Sequence, residues 1–176
     1  IKRKGGETDH VVLCIATSGS MNGRYKQDST KLEEAKKQAL TYVDQLDPGT
    51  KVTVVTGAQT AQLLVTDSTD TGSIKKTIRG IGETDIAGSL EASLQIVTPL
   101  VKQWHNYKVI GFTDSDADVG KLNADIIALT DQEGTTNAGL SWLSHQTDAE
   151  HKITTQAGIT NYGEKDFKTD VELYLG

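Results

Sequence analysis

The stretch Cys14-Ile15-Ala16-Thr17-Ser18-Gly19-Ser20-Met21 decides how this chain reads. It closes the apolar, β-branched run His10 to Ile15 (HVVLCI) and passes at once into hydroxyl residues and glycine. An apolar run without alternation is the pattern of a strand buried on both faces, as in a parallel sheet. The hydroxyls that follow suit a hard cation, which prefers oxygen ligands. Position 16, where the first acidic ligand of such a loop belongs, holds Ala16. The loop is thus open to three readings: a metal site, a former metal site, or no site.

Outward from this stretch, strand and helix patterns alternate. Thr30-Lys31-Leu32-Glu33 has the form of a capping box, with Thr30 as N-cap. Leu32, Ala35, Ala39, Val43 and Leu46 then recur at helical spacing, Glu33 and Lys37 stand four apart as an ion pair, and Asp47-Pro48-Gly49 stops the helix. Residues 51–56 (KVTVVT) and 62–66 (QLLVT) are strands close enough to form a hairpin. A short helix is predicted over 71–79, ended by Gly80-Ile81-Gly82. Ile86, Leu90, Leu94, Val97 and Val101 mark a second long amphipathic helix, opened by Thr84 and Asp85. Residues 106–113 (NYKVIGFT) and 125–129 (DIIAL) complete the strand set. This order predicts an α/β fold: a doubly wound, mostly parallel sheet with one antiparallel edge strand. Ligands of such sheets bind beyond the C-terminal strand ends. The informative loops follow Ile15, surround Thr84 and follow Thr113.

From Ala138 the texture becomes β-rich, with Leu140, Trp142 and Leu143, residues 153–161, and Val171 to Leu175 as short strands. The predicted division is 8–136 for the α/β domain and 137–176 for a β-rich extension, the start of a truncated Ig-like sandwich.

The chain has 176 residues and a formal net charge of −6, which argues against a general nucleic-acid binder, since that needs a basic face. Its basic run, Lys2-Arg3-Lys4, reads either as a solvated end or as the flank of a membrane segment. Cys14 is the only cysteine, so an internal disulfide is excluded, and its apolar setting predicts an inert thiol. The four histidines show no ligand spacing. No apolar run approaches the roughly 20 residues of a membrane helix. The chain does not begin with Met and is expected to be an excised piece of a longer protein.

Three rim motifs in order, Thr17-Ser18-Gly19-Ser20-Met21, Gly82-Glu83-Thr84-Asp85-Ile86 and Phe112-Thr113-Asp114, resemble the von Willebrand factor A domain over about residues 8 to 130. That family's metal-ion-dependent adhesion site uses Asp-x-Ser-x-Ser, a separate Thr and a Thr-Asp pair. The resemblance implies Ser18, Ser20 and Thr84 as hydroxyl ligands of Mg2+ or Mn2+, and Asp114 as a carboxylate reaching the ion directly or through water. Ala16 departs from the pattern, so weak or absent metal binding is expected. The resemblance further implies a protein partner, one that completes the ion's shell with an acidic side chain when metal is bound. It would dock on Ser18, Ser20, Met21, Thr84, Asp85, Asp114 and Ser115. No enzymatic activity, nucleic acid or small-molecule substrate is implied. Asn137-Ala138-Gly139-Leu140, Asn161-Tyr162-Gly163 and Val171-Glu-Leu-Tyr-Leu175 resemble the region after this domain in Bat-type (aerotolerance-operon) bacterial membrane proteins. So does the short segment between Asp114 and Asp125, which has no room for a helix. That implies the extracytoplasmic face of a bacterial membrane, with membrane proteins and MoxR-type ATPases as partners.

The competing readings are weaker. A Rossmann-like metal-dependent phosphohydrolase using Asp114 and Asp116 would need its nucleophilic Asp where Ala16 stands. A purely scaffolding subunit, self-associating through the C-terminal strands, is the third. Asp114, Asp116, Asp118 and Asp125 have calcium-loop spacing, but Val119 takes the place of the required glycine. Gly80-x-Gly82 lacks the third glycine of a dinucleotide fingerprint, and Trp104 and Trp142 read as packing residues.

Overall fold

A computed structural model describes residues 8–26, 29–130, 138–148 and 150–161. Lys2-Arg3-Lys4, Asn137, Tyr162-Gly163 and Val171 to Leu175 lie outside these residues. The chain divides into two compact units, Ile1–Asp131 and Gln132–Gly176. The boundary expected at 136/137 falls within residues 131–137, also outside those described.

In the first unit β1 (His10–Ala16) leads through a 3-10 turn (Gly19–Asn22) and two short strands, β2 (Arg24–Lys26) and β3 (Ser29–Thr30), to helix α1 (Lys31–Asp44). Then follow β4 (Lys51–Gly57), β5 (Ala61–Ser68), α2 (Thr71–Arg79), α3 (Glu91–Val101), β6 (Tyr107–Thr113) and β7 (Ala124–Ala128). The five-stranded sheet has the order β5-β4-β1-β6-β7, parallel throughout except for β5, which runs antiparallel on β4. This is the doubly wound sheet with one antiparallel edge strand that the strand and helix order predicts. β1 is its centre, and Val11 to Ala16 are all at most 1% exposed.

Leu32, Ala35, Ala39 and Val43 form the buried stripe of α1, and the capping box at Thr30 is present in both directions. Glu33 accepts from the Thr30 N–H at 2.9 Å, so it is drawn back to the helix start, and Lys37 pairs with Glu34 instead, at 3.7 Å. α1 and α2 pack side by side. α3 packs on the face shared by the register partners Gly111, Cys14 and Val55, where Leu90 touches the position a Gly111 Cβ would fill.

α1 ends at Asp44, leaving Leu46 beyond the helix, and the largest departure from expectation is at α3. α3 starts at Glu91, not near Ile86, and residues 81–89 carry no regular structure. Their backbone is committed elsewhere: Ile86 O accepts from Gly19 N–H at 2.9 Å and Ser89 N–H donates to Ala58 O at 3.4 Å. Gly88 passes so close to β4's exit that a Cβ there would lie 2.0 Å from the Ala58 carbonyl carbon. Ile86 is accordingly 50% exposed rather than part of a helical stripe.

The β6–β7 crossover runs from 114 to 123 without a helix. A cleft of about 490 Å³ lies between this connection and α3, walled by Leu94, Val101, Trp104, Tyr107, Val119 and Leu122. The described residues of the second unit form an antiparallel hairpin of β8 (Ala138–Thr147) and β9 (Ile153–Asn161), with Leu143, Ile153 and Ile159 exposed.

Candidate functional site

The C-terminal ends of β1, β4 and β6 bring the three rim loops together. The first loop leaves β1 with its Thr17 N–H bonded to Gly57 O at 2.8 Å. This anchor turns the chain so that Ser18, 3% exposed, and Ser20, exposed, place their hydroxyls 3.0 Å apart. Ser20 Oγ donates to Asp114 Oδ1 at 3.1 Å. A hydroxyl has one proton to give, so Ser18 is the donor to Ser20. The hydroxyls are therefore polarised in one direction, toward the carboxylate.

The second oxygen of Asp114 meets a residue that the sequence reading did not single out. Lys31, the first residue of α1, places its Nζ 3.3 Å from Asp114 Oδ2, and the two side chains are only 5% and 8% exposed. In sequence Lys31 looks like an ordinary solvated helix residue. One signal points to it: a cation in the first helical turn opposes the helix dipole, so it needs a local reason to be there.

Thr84 joins the same rim through its backbone and hydroxyl. Its Oγ1 donates to the Thr17 carbonyl, and its own carbonyl accepts from Asn22 Nδ2 at 2.9 Å. With the Gly19–Ile86 bond, these contacts stitch residues 81–89 to the first loop. Asp85 and Ser115 are exposed, and Ser115 N–H donates to Thr113 Oγ1 at 3.2 Å. Met21 stands apart from the other expected contact residues. It is fully buried in the core and offers no surface.

Whether these residues suit Mg2+ or Mn2+ follows from where their donors point. Such ions need several oxygens converging on one point, and carboxylates to balance the charge. Ala16 supplies a fully buried methyl group. The Thr84 proton is directed at a carbonyl, and both Asp114 oxygens are engaged, one by Ser20 and one by an ammonium. A divalent ion beside Asp114 would have to displace or face the Lys31 charge. The donor set as it stands does not fit a divalent cation. Among the described residues no three His, Cys, Asp or Glu side chains group as a metal cluster. The calcium-like carboxylates are dispersed. Asp118 accepts from Gly120 N–H at 2.8 Å, and Asp125 pairs with Lys108 at 2.7 Å on the strand edge.

Beside Thr84 a cleft of about 270 Å³ opens between the β5 edge and residues 80–86, lined by Thr17, Ala58, Leu64, Ile81, Thr84 and Ile86. Its lining mixes the aliphatic side chains of Ala58, Leu64, Ile81 and Ile86 with polar ones, among them Gln59, Gln62 and Glu83. Cys14 lies beneath the rim, where burial pushes its thiol up to about 12, so it stays protonated and unreactive at neutral pH.

Residues 11–133 match the family model for the von Willebrand factor type A domain. No curated protein sequence matches the chain. Among solved structures, BatB, a conserved hypothetical protein from Bacteroides thetaiotaomicron, is similar with a TM-score of 0.57 at 19% identity, over 84% of this chain and 79% of that one. An aerotolerance-related membrane protein from Bacteroides fragilis, carrying multiple mutations to serine, gives 0.56 at 17% identity, over 84% and 80%. The D319A mutant of the PilB minor pilin from Streptococcus sanguinis gives 0.52 at 16% identity, over 62% and 30%. At these identities the likeness is one of fold.

Proposed function

The chain belongs to the von Willebrand factor type A domain family, and on that premise we propose that it is a protein-interaction module, not an enzyme, that docks a partner protein on the rim of its sheet. The observation that carries this reading is the convergence of Ser18, Ser20, Thr84 and Asp114 from three separate loops onto one rim. The exposed groups there are Ser20, Asp85, Ile86 and Ser115. The adjoining cleft has room for one apolar side chain of the partner. Docking therefore uses hydrogen bonds and aliphatic contact and needs no divalent ion, because Asp114 already has its cation. An acidic partner group, which a bound metal would attract, has no such attraction here.

The fold shared with BatB and the aerotolerance-related membrane protein supports a Bat-type assignment and a setting at the extracytoplasmic face of a bacterial membrane. No helix among the described residues is long and apolar enough to cross a membrane. The exposed aliphatics of the β8–β9 hairpin offer a second contact surface, suited to self-association.

Photo-crosslinking in cells of the source organism tests the docking reading. A photoreactive amino acid at Asp85, Ile86 or Ser115 is expected to capture one discrete partner, with equal yield in the presence of EDTA. The same group at Lys51 or Asn106, at the opposite strand ends, is expected to capture none. Equal capture at both ends, or none at the rim, refutes rim docking. Capture lost in EDTA refutes its independence of metal.

A further inference from the structure

Lys31 occupies an unfavourable place for a lysine. It is the first residue of α1, where the free N–H groups and the helix dipole disfavour positive charge. Lysines ordinarily extend their ammonium to water along a buried stem. Here the residue is 4% exposed, and the charge itself is held inside, 3.3 Å from Asp114. The first rim loop is shaped around it. Gly23 O accepts from Lys31 N–H at 2.9 Å, and a Cβ on Gly23 would come within 3.6 Å of Lys31 Cε and 3.7 Å of Nζ. From Ser18 through Ser20 and Asp114 to Lys31 runs one line of hydrogen bonds ending on one cation.

Charge accounting gives this arrangement its meaning. The adhesion-site pattern that the rim resembles sets two carboxylates against a doubly charged ion. In this chain Ala16 removes one carboxylate, leaving Asp114. A doubly charged ion would then be under-compensated, whereas a singly charged ammonium already lies against the remaining anion.

We propose that the Lys31 ammonium is the resident cation of this rim, standing in place of a divalent metal, and that Ala16 and Lys31 form a compensating pair. Neither change alone restores full metal affinity. An aspartate at 16 with Lys31 in place gives two carboxylates and an internal cation, so a metal must still compete with the ammonium. Removing Lys31 with Ala16 in place leaves a single carboxylate. Only the two changes together recreate two carboxylates and a vacant cation position. The rim so closed keeps a single charge state and does not respond to magnesium or manganese levels. This deepens the docking reading and takes the rim from it. The test below uses no partner, so failure of either leaves the other standing.

The test is calorimetric titration of Mn2+ alone into the full chain and into three variants: Ala16→Asp, Lys31→Met, and both together. The wild type and Lys31→Met are expected not to bind. Ala16→Asp is expected to bind about 10–100-fold more weakly than the double variant, the range by which a ligand-orienting neighbour changes metal affinity. The proposal is overturned if Ala16→Asp alone binds as tightly as the double variant, if the wild type binds, or if the folded double variant does not bind. Should the double variant not fold, the wild type still decides through amine acetylation read by mass spectrometry. Lys31 is expected to react about tenfold or more slowly than Lys37, whose side chain is 75% exposed. Equal reactivity overturns the proposal.

Discussion

Replacing Lys31 by Met keeps the aliphatic stem and removes the charge, which isolates the electrostatic contribution of the rim pair. At 3.3 Å and an effective dielectric of about 20, the attraction is ~5 kcal/mol before desolvation is counted. Desolvation of both ions offsets much of that. The informative quantity is therefore the cost of stranding one partner, typically about 3–5 kcal/mol for a buried pair. Asp114 keeps its bond from Ser20, so the lower end applies, and Lys31→Met is expected to lose about 3 kcal/mol. That is a large part of the ~5–15 kcal/mol that holds an ordinary domain together. Asp114→Leu, which takes the carboxylate from the ammonium instead, is expected to cost a similar amount. The double variant replaces both charges with apolar groups and should return to within about 1 kcal/mol of wild type, since such swaps are often neutral. Urea unfolding followed by tryptophan emission measures all four proteins and gives the coupling by a double-mutant cycle. If each single variant loses less than about 1 kcal/mol and the cycle shows no coupling, the pair behaves as a screened surface pair, and the account of a closed, buried rim is refuted.

Three further outcomes are expected. Gly88→Ala should lose about 3 kcal/mol, because its Cβ meets the backbone of Ala58 at 2.0 Å and of Gln59 at 2.4 Å, atoms that have no rotamer to escape into. Gly82→Ala, with open space around the new Cβ, should stay within about 0.5 kcal/mol, and thermal melts compare the two. Cys14 keeps its proton in the folded state up to about 12, while an unfolded thiol releases it near 9.0. Its contribution to stability is therefore complete below the lower value and falls by up to ~1.4 kcal/mol per pH unit between the two. A thiol reagent at pH 8 should leave the native protein unlabelled and label it in urea. Cys14→Ala should show a flatter loss of stability above pH 9. Thr30→Ala removes the side-chain acceptor for Glu33 N–H and should cost about 1 kcal/mol with a small loss of helical circular dichroism.

Elements whose signal is local were legible in the sequence. The unbroken apolar run at His10 to Ile15 reads as a central strand because both faces must be dry, and Val11 to Ile15 are indeed at the centre of the sheet. α2 was legible to the residue, and α1 through its capping box and buried stripe. The start of α3 was not. Ile86 fits the helical period, yet its backbone is bonded to Gly19, and tertiary hydrogen bonds outweigh a weak local preference. β2 and β3 are too short and polar to leave a period. At the rim, Ser18, Ser20, Thr84 and Asp114 could be assembled from motif order. Lys31 could not, because a lysine's destination depends on which anion the fold brings to it from 83 residues away. Met21 shows the converse error, a motif neighbour whose side chain turns inward.

The helix-free crossover from Asp114 to Asn123 has a mechanical consequence. β6 is seven residues long, so the return path spans about 23 Å at 3.3 Å per residue, and ten residues, reaching about 33 Å when extended, cover it without a helix. β7 is thereby strapped to its neighbour by a short tether. The chain enters the sheet at the start of β1 and leaves it at the end of β7, with β6 between them and all three strands parallel. Tension applied across residues 10 and 128 therefore runs along the strands, loading the β1–β6 and β6–β7 ladders in shear. Their hydrogen bonds share the load together rather than opening one at a time from an end. A module of this build resists a pull along its strands better than a pull that peels one strand from the sheet edge.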